Sequence, residues 1–198
     1  MPAGKDRFDQ ARLINIANAL TALRVVLIPL FAYLLISGKE PEALIVFVVC
    51  GASDALDGVL ARWLRQRTLV GVFLDPVADK LMMATAFIVL AYVRIVPYWL
   101  TILVISRDIF ILVGVSLYLL LLGDTGERPT VLSKGNTVVQ ILTVTCFLAA
   151  AAFPEAAGAL GAGEGGGVAR GMILLCAATT AVSGAQYVYL GIRKLSGG

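Results

Sequence analysis

Residues 54 to 79 read DALDGVLARWLRQRTLVGVFLDPVAD, which sets four aspartates between two strongly apolar segments. They are Asp54, Asp57, Asp75 and Asp79. Ionised carboxylates are costly in hydrocarbon, so they persist there only when cations or hydrogen-bond donors compensate their charge. Any fold proposed for the chain therefore has to explain both the apolar flanks and the charges between them.

The flanking sequence is too apolar for a water-soluble domain. The 198 residues are 59% hydrophobic and 15% charged, with a mean hydropathy of +0.90. At about 20 apolar residues per crossing of a ~30 Å hydrocarbon core, six segments can span a bilayer: 16–36, 42–61, 72–93, 98–122, 136–154 and 171–192. The connections between them are short. The sequence predicts an all-α integral membrane protein with six transmembrane helices, in a single domain over residues 1–198.

Basic residues distinguish the two faces of this arrangement. Lys and Arg are in excess on the cytoplasmic side of membrane proteins. One face carries Lys5, Arg7, Arg12, Arg62, Arg65, Arg67, Arg128, Lys134, Arg193 and Lys194, whereas the other has Lys39, Arg94 and Arg170. We therefore expect both termini and the aspartate-bearing connection on the cytoplasmic side of a bacterial inner membrane.

The N-terminal residues 1–13, MPAGKDRFDQARL, are less apolar than the spans. They lack the apolar core and small-residue cleavage site of a signal peptide. With Phe8 and Leu13 as anchors, they are expected to form a short juxtamembrane amphipathic helix.

The spacing of the aspartates gives each helix one acidic face. Asp54 and Asp57 are three residues apart, and Asp75 and Asp79 are four apart, so each pair shares a face at about 100° per residue. Two such helices can bring the four carboxylates together. Oxygen-only ligation is what Mg²⁺, Mn²⁺ or Ca²⁺ prefer. Alternatively, the aspartates form interfacial ion pairs with Arg62, Arg65 and Lys80.

The complete pattern is D-x2-D-G-x2-A-R-x8-G-x3-D-x3-D, with Gly58, Ala61, Arg62 and Gly71 at its other fixed positions. At every position it resembles the signature of the CDP-alcohol phosphatidyltransferase family. The segment NIANALTALRVVLIPLFAYLLI (15–36) is also similar to that family's first helix, although Ala17 stands where many relatives have proline.

The resemblance implies transfer of a phosphatidyl group from CDP-diacylglycerol to an alcohol, with release of CMP. It also implies two divalent ions, Mg²⁺ or Mn²⁺, and a homodimer. Asp54, Asp57 and Asp75 would be the main metal ligands, with Asp75 and Asp79 catalytic and Asp79 both assisting the metals and serving as the base.

Other residues of the implied site would bind the nucleotide. Glycine at the two fixed positions permits close approach of the backbone, or alternatively serves helix packing. In the first helix, a polar face carries Asn18, Thr21 and Arg24, with structural packing as its alternative role. The expected nucleotide-binding residues are Gly58, Ala61, Arg62, Gly71, Asn18 and Thr21.

Three further stretches bear on the acceptor alcohol. FLDPVADKLM (73–82) resembles the branch that contains phosphatidylglycerophosphate synthases and CMP-forming cardiolipin synthases. VISRDIFIL (104–112) and PTVLSKGNTVVQIL (129–142) are more similar to the mitochondrial-type cardiolipin synthases. We therefore expect phosphatidylglycerol as acceptor, with sn-glycerol 3-phosphate as the alternative. Arg107 and Lys134 are expected to bind its phosphate; the alternatives are pairing of Arg107 with Asp108 and a plain positive-inside role for Lys134.

Two other classes of membrane protein also use buried carboxylates. Intramembrane prenyltransferases bind Mg²⁺-diphosphate through two aspartate clusters, but they do not require the Gly-x2-Ala-Arg element. Cation or proton-coupled transporters typically contain two related halves with broken helices, and the chain has no internal repeat. CMP release from CDP-diacylglycerol, with and without metal, discriminates these classes.

Overall fold

The computed structural model describes residues 23–64, 69–122, 131–153, 155, 157–158 and 166–196, and it describes side chains within 23–53, 77–114, 131–153, 155, 157–158 and 166–190. Regular structure in this part of the chain is helical, as predicted. The helices are α1 (Leu23–Ile36), α2 (Glu40–Leu64), α3 (Leu69–Tyr92), α4 (Tyr98–Leu122), α5 (Val131–Ala152) and α6 (Gly167–Ser196).

Each predicted span overlaps one helix. Helices α2, α3 and α4 contain 25, 24 and 25 residues, which at ~1.5 Å per residue exceeds the ~30 Å hydrocarbon thickness. Within the described residues, Val131–Ala152 and Gly167–Leu190 have the length and apolar composition needed to cross a membrane, and Leu23–Ile36 is apolar but shorter. The all-α class is confirmed, whereas six membrane crossings stay a prediction. The predicted amphipathic segment 1–13 lies outside the described residues.

The chain divides into two compact units, Met1–Val89 and Leu90–Gly198. The first unit contains α1, α2 and most of α3. Its core includes Phe31 and Phe47, whose ring centroids lie 5.9 Å apart at an interplanar angle of 44°. This tilted geometry is favourable for aromatic pairs, so it helps to fix α1 against α2. The single domain over 1–198 stays a prediction.

Helix α1 ends in a Schellman motif. The amide of Lys39 donates to the carbonyl of Leu34 at 2.9 Å, and that of Gly38 donates to Leu35 at 3.2 Å. Gly38 has φ of 70°, the left-handed conformation that glycine adopts without a Cβ penalty. The motif satisfies carbonyls at the helix end and reverses the chain into α2 within a few residues.

Helix α3 ends in the same way, but without glycine. The amide of Ile95 donates to the carbonyl of Leu90 at 2.9 Å, and that of Arg94 donates to Ala91 at 3.0 Å. Arg94 has φ of 63°, which is uncommon for a residue that carries a Cβ. The same capping geometry thus turns the chain towards α4.

The second unit is built around α6, which packs against both α4 and α5. Apolar residues of its core include Leu100 and Val104 of α4 and Leu148 of α5, each no more than 1% exposed. Several fully buried residues of the same unit are polar. These polar residues lie on α4, α5 and α6, and their contacts are described below.

Candidate active site

The two aspartate pairs lie on helical backbone. Asp54 and Asp57 belong to α2, and Asp75 and Asp79 belong to α3. Because both segments are α-helical, the three- and four-residue spacings place each pair on one face of its helix. We refer to these four residues as the acidic pairs.

Most side chains of the predicted metal and nucleotide site lie outside those that the structure describes. The exception is Asp79, which is half-buried, as is the neighbouring Lys80. Asn18 and Thr21 precede the first described residue. The backbone of α2 or α3, but not the side-chain environment, is described for Asp54, Asp57, Gly58, Ala61, Arg62, Gly71 and Asp75.

The donor set of the acidic pairs fits divalent ions. Among the described side chains, no three of His, Cys, Asp and Glu lie together as a metal-binding group, but three of the four aspartates are outside that set. Four carboxylates on two helices offer oxygen ligands only, the chemistry that Mg²⁺ and Mn²⁺ select. The fit therefore depends on the donor chemistry and the helical spacing.

Arg107 lies in α4 and is 5% exposed. Its Nη1 donates to Oδ1 of Asp108 at 2.6 Å, and its Nη2 donates to Oγ of Ser133 in α5 at 2.7 Å and to Oγ of Ser183 in α6 at 2.6 Å. One guanidinium thus joins three helices. The pairing with Asp108 that the sequence left open is present, together with two serine contacts that the sequence analysis did not anticipate.

The buried Nε of Arg107 has no hydrogen-bond partner within the described part of the chain. The guanidinium is therefore bound through both terminal nitrogens but not through its inner one. A buried donor without a partner carries a desolvation penalty, so a ligand oxygen at this atom would be favourable.

Lys134 follows Ser133 in α5 and is exposed. Since Ser133 accepts a bond from Arg107, the backbone at Lys134 is close to the end of the Arg107 side chain. The two predicted phosphate-binding residues thus lie on helices that the hydrogen bond between Arg107 and Ser133 links. The side chain of Arg107 is buried, whereas that of Lys134 is exposed.

Neutral polar residues line the contact between α5 and α6. Thr180 donates to Oδ1 of Asn136 at 3.0 Å, and Nε2 of Gln140 donates to Thr180 at 3.5 Å. Each residue of the set is at most 1% exposed. We call this set the polar seam; it consists of Asn136, Gln140 and Thr143 in α5 and Thr180 and Ser183 in α6.

The polar seam was missed in the sequence analysis because its residues carry no charge. A signal was nevertheless present: Asn136, Gln140 and Thr143 have the i, i+4, i+7 spacing of one helical face, and Thr180 and Ser183 continue the same pattern from Cys176. A polar stripe on an otherwise apolar helix predicts a buried polar contact with another helix.

Comparison with known proteins gives a family and several relatives. Residues 14–183 match the model of the CDP-alcohol phosphatidyltransferase family. The CMP-forming cardiolipin synthase of Homo sapiens is 36% identical over 155 residues, which cover 70% of this chain and 52% of that protein. The probable phosphatidylglycerophosphate synthase of Mycobacterium tuberculosis is 31% identical over 195 residues, covering 95% of this chain and 87% of that protein.

A third relative is the CDP-diacylglycerol–glycerol-3-phosphate 3-phosphatidyltransferase of Bacillus subtilis. It is 35% identical over 153 residues, covering 69% of this chain and 77% of that protein. The chain spans about half the length of the animal cardiolipin synthases that it matches. The names of the relatives thus divide between cardiolipin synthase and phosphatidyltransferases that form phosphatidylglycerophosphate or act on glycerol 3-phosphate.

Proposed function

The chain belongs to the CDP-alcohol phosphatidyltransferase family, and from this membership we propose that it is a membrane enzyme that transfers a phosphatidyl group from CDP-diacylglycerol to phosphatidylglycerol. The products are cardiolipin and CMP. The observation that carries the proposal is the family match over residues 14–183, which includes both acidic pairs. The resemblance of residues 104–112 and 129–142 to cardiolipin synthases supports this acceptor.

A second acceptor, sn-glycerol 3-phosphate, is favoured by a different observation. The mycobacterial relative named as a probable phosphatidylglycerophosphate synthase matches over 95% of this chain, whereas the human cardiolipin synthase matches over 70%. Both acceptors present a hydroxyl for the reaction and carry a phosphate. The catalytic residues proposed below serve either one.

The acidic pairs would carry the chemistry. Two divalent ions, when bound by the four aspartates, would neutralise the pyrophosphate and the charge that develops on CMP. Asp79 accepts the proton of the acceptor hydroxyl, and the hydroxyl oxygen attacks the β-phosphorus. The bond from that phosphorus to the CMP oxygen breaks, so the phosphatidyl group moves to the acceptor. Asp75 helps to align the reacting phosphate.

The fixed positions of the signature other than the aspartates would bind the nucleotide. Gly58 and Gly71 allow the backbone to approach the ligand closely. Arg62 offers a planar fork of donors to phosphate. Ala61, with Asn18 and Thr21 from the segment before α1, completes the proposed nucleotide-binding set.

Two basic residues of the second unit would receive the acceptor phosphate. Lys134 is exposed and offers a flexible ammonium group, whereas Arg107 is buried and already oriented by Asp108 and two serines. Because Asp108 balances the charge of Arg107, Arg107 would contribute an oriented N–H donor, whereas Lys134 would contribute positive charge. The two residues therefore make complementary contributions to acceptor affinity.

We also propose a location and an assembly. The excess of basic residues on one side of the six-span arrangement supports a site that opens to the cytoplasmic face of a bacterial membrane, and a homodimer is proposed from the family resemblance.

Single cysteines at Arg67 and Gly163, in a variant without the native cysteines, should react with an impermeant reagent from opposite sides. Reaction of both from one side would exclude the six-span arrangement.

The direct test of function is a product assay. The purified full chain is given CDP-diacylglycerol, Mg²⁺ or Mn²⁺, and either labelled phosphatidylglycerol or labelled sn-glycerol 3-phosphate, and CMP and lipid products are measured. Cardiolipin from phosphatidylglycerol is the expected result. Phosphatidylglycerophosphate as the sole labelled lipid would establish the second acceptor instead, and no CMP release with either would exclude both.

A further inference from the structure

We propose that Ser133 and Ser183 are positioning residues, which hold the guanidinium of Arg107 so that its Nε–H is presented to the phosphate of the acceptor. This inference rests on the proposed function, because it assigns the acceptor phosphate to Arg107. It adds two neutral residues from two further helices to the set that determines acceptor affinity.

The distribution of hydrogen bonds supports this role. A guanidinium has five N–H donors. The two protons of Nη2 are directed to Ser133 at 2.7 Å and to Ser183 at 2.6 Å, and Nη1 is directed to Asp108 at 2.6 Å. Nε is buried without a hydrogen-bond partner among the described residues. Both terminal nitrogens are thus fixed, while the N–H of Nε, on the edge that it shares with Nη2, remains an available donor.

The aliphatic part of Arg107 is also held by α6. A Cβ placed on Gly184 would lie 3.5 Å from Cγ of Arg107, so the stem of the arginine runs beside the helix at this residue. Ser183, next in sequence, binds the end of the same side chain. Helix α6 therefore binds the end of the arginine and lies beside its stem, with room for one added carbon atom between them.

The choice of serine has an electrostatic consequence. Asp108 already balances the charge of Arg107, and its ion pair is largely buried, with side-chain exposures of 4% for the arginine and 17% for the aspartate. A further carboxylate would make the cluster anionic and repel a phosphate. Hydroxyls orient the guanidinium without adding negative charge. Because the Arg107 side chain is already ordered in the folded protein, less conformational entropy is lost when the phosphate binds.

Ser183→Ala is the main test, with Ser106→Ala as its matched control. Ser106 is adjacent to Arg107, but its hydroxyl donates to the carbonyl of Leu103 in its own helix at 3.0 Å. We expect Ser183→Ala to raise the acceptor KM about tenfold, in line with loss of one hydrogen bond to a charged group. The KM for CDP-diacylglycerol and kcat should not change, and Ser106→Ala should behave as wild type.

A double-mutant cycle separates positioning from general stability. If Ser183 acts through Arg107, adding Ser183→Ala to Arg107→Gln should cause no further rise in the acceptor KM. Additive effects of the two substitutions would overturn the inference. So would an unchanged acceptor KM in Ser183→Ala or in Arg107→Gln, or an equal rise in Ser106→Ala.

A binding measurement keeps the inference separate from the proposed reaction. Inorganic phosphate should raise the Tm of the purified wild-type protein above its value in chloride at matched ionic strength, and this rise should be smaller in Ser183→Ala and normal in Ser106→Ala. Should Ser183→Ala fail to fold, Ser133→Ala gives the same test at a half-buried position. If CMP is not released but phosphate still stabilises the protein, the proposed function alone is overturned. If phosphate stabilises the wild type, Ser183→Ala and Ser133→Ala equally, the inference is overturned.

Discussion

The acidic pairs of α2 and α3 and the polar seam of α5 and α6 both place polar groups in strongly apolar helices. The acidic pairs consist of like charges, which cannot gather without cations. The polar seam consists of neutral groups that hydrogen-bond across a helix interface, as Thr180 does with Asn136 at 3.0 Å, although Nδ2 of Asn136 and Oε1 of Gln140 have no partner among the described residues. The proposed metal ions would neutralise the first arrangement, whereas the hydrogen bonds of the second lie within the protein.

This difference in energy explains why the acidic pairs are easier to recognise from the sequence than the polar seam. A carboxylate at the centre of a membrane costs about 2.5 to 3.5 kcal/mol on insertion scales, so it is retained for function and stands out in the sequence. A hydrogen bond between neutral side chains in a membrane contributes about 0.6 kcal/mol on average. Neutral polar residues are therefore tolerated widely, and their helical spacing predicts a buried polar contact without identifying the partner.

The largest expected effect is at the acidic pairs. Asp75→Asn should abolish CMP formation, because it removes a charged oxygen ligand, while the purified protein remains folded. Glu42→Gln, the same chemical change at an exposed position in the first turn of α2, is the control and should retain activity. Turnover by the wild type in excess chelator would show that the acidic pairs do not need a bound cation, and so do not differ from the polar seam in this respect.

The next effect tests the exposed partner of Arg107. Lys134→Ala should raise the acceptor KM about ten- to a hundredfold through loss of about 1.5 to 3 kcal/mol of charge-assisted binding, with the KM for CDP-diacylglycerol nearly unchanged. The rise should be at the lower end for phosphatidylglycerol, whose acyl chains add affinity, and greater and salt-sensitive for glycerol 3-phosphate. Lys39→Ala, another exposed lysine, should have no effect; an equal rise there would indicate general surface charge.

Within the polar seam the expected loss is in stability. Thr180→Val removes the hydroxyl that links Asn136 and Gln140 and should lower the free energy of unfolding by about 1 to 2 kcal/mol. Thr179→Val is its neighbour and control, because that hydroxyl donates only within its own helix, to Leu175 at 3.0 Å and Cys176 at 3.1 Å. Denaturation in detergent measures both, and equal losses would show that the seam contributes nothing across the interface.

The smallest effect concerns the space beside Arg107. Gly184→Ala introduces a Cβ at 3.5 Å from the arginine stem, an ordinary contact, and replaces a poor helix former with a good one. We expect stabilisation of up to about 1 kcal/mol with an unchanged acceptor KM. A rise in that KM would mean that the stem of the arginine must move closer to Gly184 during the reaction.

The helices were predictable from hydropathy, but their ends were less so. The predicted span 136–154 corresponds to α5, which begins at Val131, and the span 171–192 corresponds to α6, which extends to Ser196. Hydropathy locates the part of a helix that lies in hydrocarbon. The helix itself continues for as long as its backbone hydrogen bonds and packing permit, so apolar length underestimates helix length.

The chemistry of the candidate site was partly predictable as well. The spacing of Asp75 and Asp79 and the adjacency of Arg107 and Asp108 are properties of the sequence. The contacts of Arg107 with Ser133 and Ser183 bridge 26 and 76 positions of the chain. Such contacts depend on how helices pack, and no local pattern around a serine distinguishes a partner of arginine from an ordinary polar residue.

The Schellman motif at the end of α1 has a consequence for how the protein is made. Only Ser37, Gly38 and Lys39 separate α1 from α2, and three extended residues reach about 10 Å at most. In the predicted six-span arrangement, a nascent chain leaving the ribosome could not place α1 across the bilayer and keep α2 in water on the far side. The two helices would then enter the membrane together as one hairpin, so a substitution that impairs the insertion of α1 would also impair delivery of the first acidic pair.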